Sequence, residues 1–433
     1  MSQEAARSRR LWSRLPAPVR GAVALSAWPL ADQMMVSACN FLTNVVVARV
    51  LGVHDFGVFT LAWSIVLLGQ LLQFCLVSTP MYSLAPALEP DRRSGYFAGL
   101  MVYQSGWALL AGFLLAAGSL VGGLLSPHWP ARSFALALAA AGAAYLWQDW
   151  AKRGLFTLGK PRAAFLSDAI SYAVQLAVLF ACIGHGLDLV ELLWIVAATS
   201  GSAALLAGIA MRPLSFGTAD LAPMAVRHWQ FGRWILGTVP LSWTVANLVQ
   251  LVSGTLLGAE AVAGIRAASL LFAVSNVFFF SLENFVPSRA AIILHKEGRD
   301  AFFNFLRLWI GIGMAVALAI SIVAVSAPRF WLTLAFGEQL AGSANLVYPL
   351  ALQFPLACYI SLAGLLLRAA SLTALMFRVW VGMALVGAVT IIPATLQFGI
   401  NGAMGSFIAS YAVGALLVSW YARRAPLLLE EAA

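Results

Sequence analysis

Gln33, Ser37, Asn40 and Asn44 lie within an otherwise apolar stretch at i, i+4, i+7 and i+11, and the stretch ends in Ala48-Arg49-Val50-Leu51-Gly52. On a helix the four form one polar stripe. A polar line on a membrane-length helix belongs against other helices or in a watery cavity, and an arginine at its end points to a functional site. Each residue also has a plainer use. Asn and Ser join neighbouring helices, and a terminal arginine anchors its span or bonds the last helix carbonyls. Arg266, Ser269, Asn276 and Glu283 make a second set, spaced i, i+3, i+10 and i+17 on one broad helix face. Arg266 there either faces a cavity or snorkels to the outer interface.

Two further stripes are Asp168, Tyr172 and Gln175, and Thr244, Asn247 and Gln250. They serve ligand hydroxyls or helix association equally well. Asp32, Asp168 and Glu283 are the acidic groups within apolar spans, suited to proton or sodium coupling, although no motif fixes the ion. Asp149 and Arg153, at i and i+4 beside Trp147 and Trp150, read as a local ion pair in an aromatic belt.

These residues need elements to hold them, and composition says which. The chain has 433 residues, 61% of them hydrophobic and only 10% charged, with a mean hydropathy of +0.87. Soluble domains are about 45–50% apolar and about 25% charged, so this is a multi-pass membrane protein with no room for a soluble domain. Apolar runs fall at residues 28–51, 56–84, 96–125, 133–151, 163–183 and 189–211, then at 234–257, 262–287, 302–327, 344–367, 372–396 and 400–421. That predicts an all-α fold of twelve transmembrane helices in two six-helix lobes. The N-lobe covers 28–211 and the C-lobe 233–422, joined by an amphipathic linker at 212–232 and flanked by a basic tail (1–27) and a short C-tail (423–433).

The net charge of +9 divides unequally. With the N-terminus inside, all Lys and Arg except Arg49, Arg132, Arg266 and Arg329 fall on the cytoplasmic side, 22 of 26. This places both termini in the cytoplasm. The basic tail, with Leu11, Trp12 and Leu15 among its arginines, suits an anionic inner leaflet rather than nucleic acid. Cys39, Cys75, Cys182 and Cys358 sit apart in apolar runs as free thiols, and the five histidines stand singly. The spacing suggests no zinc site, metal catalysis or cofactor.

The halves echo each other. Asn40 and Asn247, Gly57 and Gly264, and Pro80 and Pro287 are each 207 positions apart, and Leu51-Gly52 precedes Leu257-Gly258 by 206. An even number of spans per half makes the repeats parallel, about an axis along the membrane normal, with the pathway between the lobes.

The run from Ala48 to Gly57, with its polar span before it, resembles the A-R-x-L-G-x-x-x-F-G signature of polysaccharide-transporter flippases of the Wzx type, relatives of the MATE exporters and MurJ. Gln148, Arg153, Gly154, Leu155, Phe156, Gly159, Lys160, Pro161 and Asp168 resemble the segment joining the fourth and fifth spans in that family. The resemblance implies a bacterial inner-membrane protein, not an enzyme, that moves undecaprenyl-diphosphate-linked oligosaccharide to the periplasmic leaflet. It implies association with glycan polymerase and glycosyltransferases.

Arg49, Arg266, Asn40, Asn44, Asn247 and Asn276 are then the substrate-binding candidates, the arginines for the diphosphate. The second lobe departs from the signature, with Thr255 or Leu256 where its arginine would be. A MATE-like ion-coupled drug or metabolite antiporter would share the fold but call for an acidic site for cationic cargo. A membrane glycan polymerase or ligase would need a large periplasmic loop, which the short outer loops exclude. A purely structural scaffold would leave the polar stripes without a purpose.

Overall fold

In the computed structural model the described residues run from 17 to 431, without 126–131, 184–185, 219–220, 234, 238, 370–372 and most positions between 276 and 295. They are almost entirely helical. In chain order the helices are α1 (Ala17–Gln73), α2 (Thr79–Leu84), α3 (Pro90–Leu125), α4 (Arg132–Thr157), α5 (Pro161–Ala181), α6 (Leu189–Ala210), α7 (Leu221–Gly232), α8 (Val239–Leu257), α9 (Ala259–Leu270), α10 (Arg299–Ser326), α11 (Pro328–Phe336), α12 (Val347–Ala369) and α13 (Thr373–Glu431).

α1 and α13 are each two helical segments joined at a glycine corner. Gly52 has φ 80° and ψ 176°, and Gly399 has φ 59° and ψ −139°. Gly258, between α8 and α9, has φ 94° and ψ 174°. Gly52 and Gly258 thus make the same left-handed corner at the two Leu-Gly sites that the sequence pairs, a conformation a side chain would disfavour.

Seven helices among the described residues are long and apolar enough to cross a membrane. Two of these, Trp28–Leu84 and Ala374–Arg424, are 57 and 51 residues long and each takes in two of the expected spans across its corner. α4 and α8 fall outside the seven because polar residues interrupt them: Gln148, Asp149, Lys152 and Arg153 in α4, and Ser242, Thr244, Asn247, Gln250, Ser253 and Thr255 in α8. The expected span at 262–287 runs into the undescribed positions.

α4 packs against α3 and α6, and α5 and α6 close around the first half of α1. α8, α12 and α13 pack together, with α10 on α12. The two groups meet where α1 lies against α8 and α9. Gly57 lets this approach happen, because a Cβ there would collide with the Ala259 backbone carbonyl. Phe336 stacks on Phe56 and meets Phe41 edge-on nearby.

Residues 74–78 form one π-helical turn, which redirects carbonyls away from the regular ladder. Thr79 Oγ1 donates to the Phe74 carbonyl at 2.8 Å, and the Leu76 carbonyl lies 3.0 Å from His228 Nδ1 on α7. Tyr96 Oη is 2.9 Å from His228 Nε2, so both ring nitrogens are engaged and the linker helix is pinned to the π turn after α1 and to α3. The amphipathic segment expected at 212–232 contains this helix, with Met224 and His228 buried.

Burial pushes the His228 imidazole below its ordinary 6.5, partly offset by the Leu76 carbonyl. Its folded value lies below its unfolded one, so the unfolded chain binds the extra proton first. The anchorage is fully present above pH 6.5, weakens below it, and is lost as the pH falls through the lower folded value. The protection factors of the α7 amides, taken relative to the intrinsic exchange rate at each pH, should fall on acidification in the wild type. In His228→Gln that pH dependence should disappear, and an unchanged dependence would show that another group sets it.

Candidate functional site

The first half of α1 carries its polar stripe into a cavity of about 520 Å³ shared with α9. Gln33, Ser37, Asn40 and Asn44 line one side and Arg266 the other, with Phe41 and Val274 among the apolar walls. Asn44 is buried, and its Nδ2 donates to the Asn40 carbonyl at 2.7 Å. That leaves the Asn44 side-chain oxygen for Arg266, whose Nε donates to it at 3.4 Å. The half-buried guanidinium therefore leans on a neutral amide, and among the described residues no carboxylate pairs with it. A fork of donors with no counter-ion among the described residues, beside a line of amides and hydroxyls, is suited to accept an oxyanion.

The other candidates are distributed differently. Arg49 reaches from α1 to the end of α11, donating from Nη2 to Leu334 O at 2.6 Å and from Nε to Ala335 O at 2.9 Å. It caps orphan carbonyls at a helix C-terminus, where a cation is favoured. In doing so it ties α1 to an element 285 positions away, beside a second, largely apolar cavity of about 880 Å³. Asn247 stays on its own helix, donating to Trp243 O at 2.9 Å, and does not line the Arg266 cavity. Asn276 and Glu283 lie outside the described residues. Of the fifth-span stripe, Gln175 bonds Thr43 and Thr199 at 3.2 and 3.3 Å and so serves helix association.

Asp32 neighbours Gln33 in sequence yet points the other way, into the packing of α1 on α4 and α5. There Lys152 Nζ lies 3.3 Å from Asp32 Oδ2 and 2.8 Å from Asp168 Oδ2, and Gln148 Nε2 donates to Asp168 Oδ1 at 2.9 Å. Asp32 Oδ1 is buried with no partner among the described residues. One step along α4, Asp149 pairs with Arg153 at 2.7 Å and accepts from Gln70 at 2.9 Å and from Gln73 at 3.4 Å. Gln104 extends the chain to Gln73 at 2.8 Å. Arg153 also lies over the Phe74 ring at 5.0 Å and donates to Tyr82 Oη at 3.4 Å.

The sequence brings Asp32 and Asp168 into view but counts Lys152 only as one of the cytoplasmic-side cations. The structure adds that Lys152 is largely buried between them, with only 15% of its side chain exposed. The missed signal was its position four after Gln148, next to the Asp149 and Arg153 pair on the same helix. With all groups ionised, Asp32, Asp149 and Asp168 face Lys152 and Arg153, leaving one negative charge in excess. No group of His, Cys, Asp and Glu among the described residues is arranged to hold a metal ion.

No family model matches the chain, and no curated protein matches it by sequence. Solved structures do. An inward-facing multidrug resistance MATE transporter of the MOP superfamily superposes with a TM-score of 0.73 at 12% identity, covering 91% of this chain and 95% of its own. The inward closed conformation of the lipid II flippase MurJ gives 0.70 at 11%, covering 93% and 87%. The chain has the MATE and MurJ fold. A MOP superfamily transporter from Pyrococcus furiosus, described as having a binding pocket of reverse polarity, gives 0.65 at 13%, covering 95% and 97%. These relatives in fold are transporters and a flippase, not enzymes.

Proposed function

We propose that this protein flips an undecaprenyl-diphosphate-linked oligosaccharide, an O-antigen or exopolysaccharide repeat unit, from the cytoplasmic to the periplasmic leaflet of a bacterial inner membrane. The observation that carries the reading is Arg266, which faces a cavity of neutral polar side chains without a carboxylate partner among the described residues. The arginine suits a diphosphate, and the Asn, Gln and Ser stripe suits sugar hydroxyls. In this reading twelve spans form two parallel six-helix lobes with both termini cytoplasmic, and the pathway runs between α1 and α9. Neighbouring glycosyltransferases make the cargo and a polymerase consumes it.

Access alternates as the lobes rock. The Arg49 tie to α11 and the Gly57 contact with Ala259 both lie on the side expected to be periplasmic, which suits a state closed to the outside. Asp32, and with it Asp168 and Glu283, are the coupling groups, Asp32 foremost because one of its carboxylate oxygens has no partner among the described residues.

A MATE-like ion-coupled antiporter is the second reading, favoured by the excess negative charge of the Asp32, Asp149 and Asp168 network. It ranks below because that charge is bound to Lys152 and Arg153 while the open cavity presents a cation. Leaflet-specific labelling of the lipid-linked oligosaccharide in a deletion strain tests the choice. Cytoplasmic-face accumulation with loss of surface glycan is expected. Normal surface glycan, with no paralogue to substitute, removes the flippase reading.

A further inference from the structure

A cavity of about 1190 Å³ lies away from the α1 and α9 interface, between α3, α4, α6 and the turn after α6. Its floor is recessed because the residues there are small: Ala143 on α4 and Gly201 and Gly208 on α6, with the Trp147 ring beside them. Leu109 and Leu205 stand out at its edges, 72% and 67% exposed. The polar atoms of the floor are already used, since Trp147 Nε1 donates to Ser105 Oγ at 3.2 Å and Ser105 Oγ to Met101 O at 2.8 Å. The floor of the groove therefore offers its occupant only apolar contact.

Its two ends differ. Arg212 and Phe216 close one end, in the turn where Lys160 Nζ caps Ala210 O at 2.7 Å and Arg212 O at 3.2 Å. From Gly201 to Met211 α6 rises about 15 Å at 1.5 Å per residue, half of the roughly 30 Å hydrocarbon layer. The groove is thus one leaflet deep, with a cation at headgroup level. A partner transmembrane helix would need a small-residue track through both leaflets, whereas a lipid chain needs only one.

We infer that this groove is a resident site for an anionic phospholipid of the cytoplasmic leaflet, with one acyl chain along Gly201 and Gly208 and its phosphate at Arg212. The site is separate from the cargo pathway and rests on the proposed sidedness of the chain, not on the proposed cargo. Its walls include α4, the helix that carries Lys152 and Arg153, so the bound chain braces the helix on which the charge network is built.

The test uses the full chain in vesicles of phosphatidylcholine and phosphatidylglycerol, doped with either lipid bearing a photoreactive group on one acyl chain. Crosslinked peptides are mapped by mass spectrometry. The phosphatidylglycerol probe should label α3 and α6 around Leu109 and Leu205 about fivefold more than the phosphatidylcholine probe, the worth of one charge at an anionic surface.

Arg212→Gln should bring the two probes to parity while chain labelling persists. Gly208→Leu should reduce labelling by both probes to background. A Cβ at 208 meets only Met101 Cε at 3.7 Å and Trp147 Cζ3 at 3.8 Å, so the variant should fold. Gly201→Leu, with Ala144 Cβ at 4.0 Å, is the second filling variant should the first misfold. Equal labelling by the two probes in the wild type, or unchanged labelling in a folded filling variant, overturns the site. So does capture of a protein segment in place of lipid. No cargo enters the assay, so failure of the flippase reading would leave these ratios unchanged.

Discussion

Lys152→Met should destabilise the protein by about 3–5 kcal/mol, because it strands two buried carboxylates that share one ammonium. Asp32 is only 3% exposed, and both partners lie within 3.3 Å of Lys152 Nζ. Neither carboxylate can recover its lost hydration without opening the packing of α1 on α4 and α5. Adding Asp32→Asn and Asp168→Asn to Lys152→Met removes the charges together and should restore most of the loss, since an uncharged core of similar shape is often as stable as a buried ion pair. Urea or thermal unfolding in one detergent gives both values. A silent Lys152→Met would mean that the three groups are hydrated and the pairing contributes nothing.

The same set separates scaffold from coupling. The triple variant should be well folded. If Asp32 is the group that exchanges a proton or sodium ion with the two sides, this variant should lose gradient-driven transport while keeping its cargo affinity. Transport by it equal to wild type across pH and sodium concentrations would reduce the network to a structural role, leaving Glu283 as the remaining acidic candidate.

What could be read in advance follows from the range of each interaction. The stripe from Gln33 to Asn44 was legible because helical periodicity is local and one face decides where four residues point. The corners at Gly52 and Gly258 were legible as paired Leu-Gly sites, and their φ of 80° and 94° gives the pairing its physical reason.

Arg49 was visible as a span-end arginine, but its partners, Leu334 and Ala335, are set by how distant helices pack, on which spacing is silent. The buried pairing of Lys152 is out of reach for a related cause. Counting cations by side says nothing of their burial, and only the approach of Asp32 and Asp168 from two other helices buries this one. The groove under Leu109 and Leu205 left no signal, since it is made by side chains that are too small rather than by residues with chemistry of their own.

Arg266→Ala should remain folded and lose about ten- to a hundredfold in cargo affinity, the worth of a charge-assisted contact of roughly 1.5–3 kcal/mol. Folding should survive because the guanidinium has only the 3.4 Å contact to the Asn44 side chain as its described bond, so its removal leaves no buried charge behind. Arg266→Lys should recover part of the activity, since a point charge replaces a planar fork that fits two phosphate oxygens at once. Asn44→Ala should cost less, about 0.5–1.5 kcal/mol, because it removes a neutral group that orients the arginine. Arg329→Ala should be nearly silent, because its exposed pair with Glu338 at 3.4 Å lies in water. The readout is the leaflet distribution of lipid-linked oligosaccharide in a deletion strain carrying each variant at equal expression. Normal flipping by Arg266→Ala would remove the cationic site. An Arg266→Lys variant as inactive as Arg266→Ala would show that fork geometry, more than charge, holds the diphosphate.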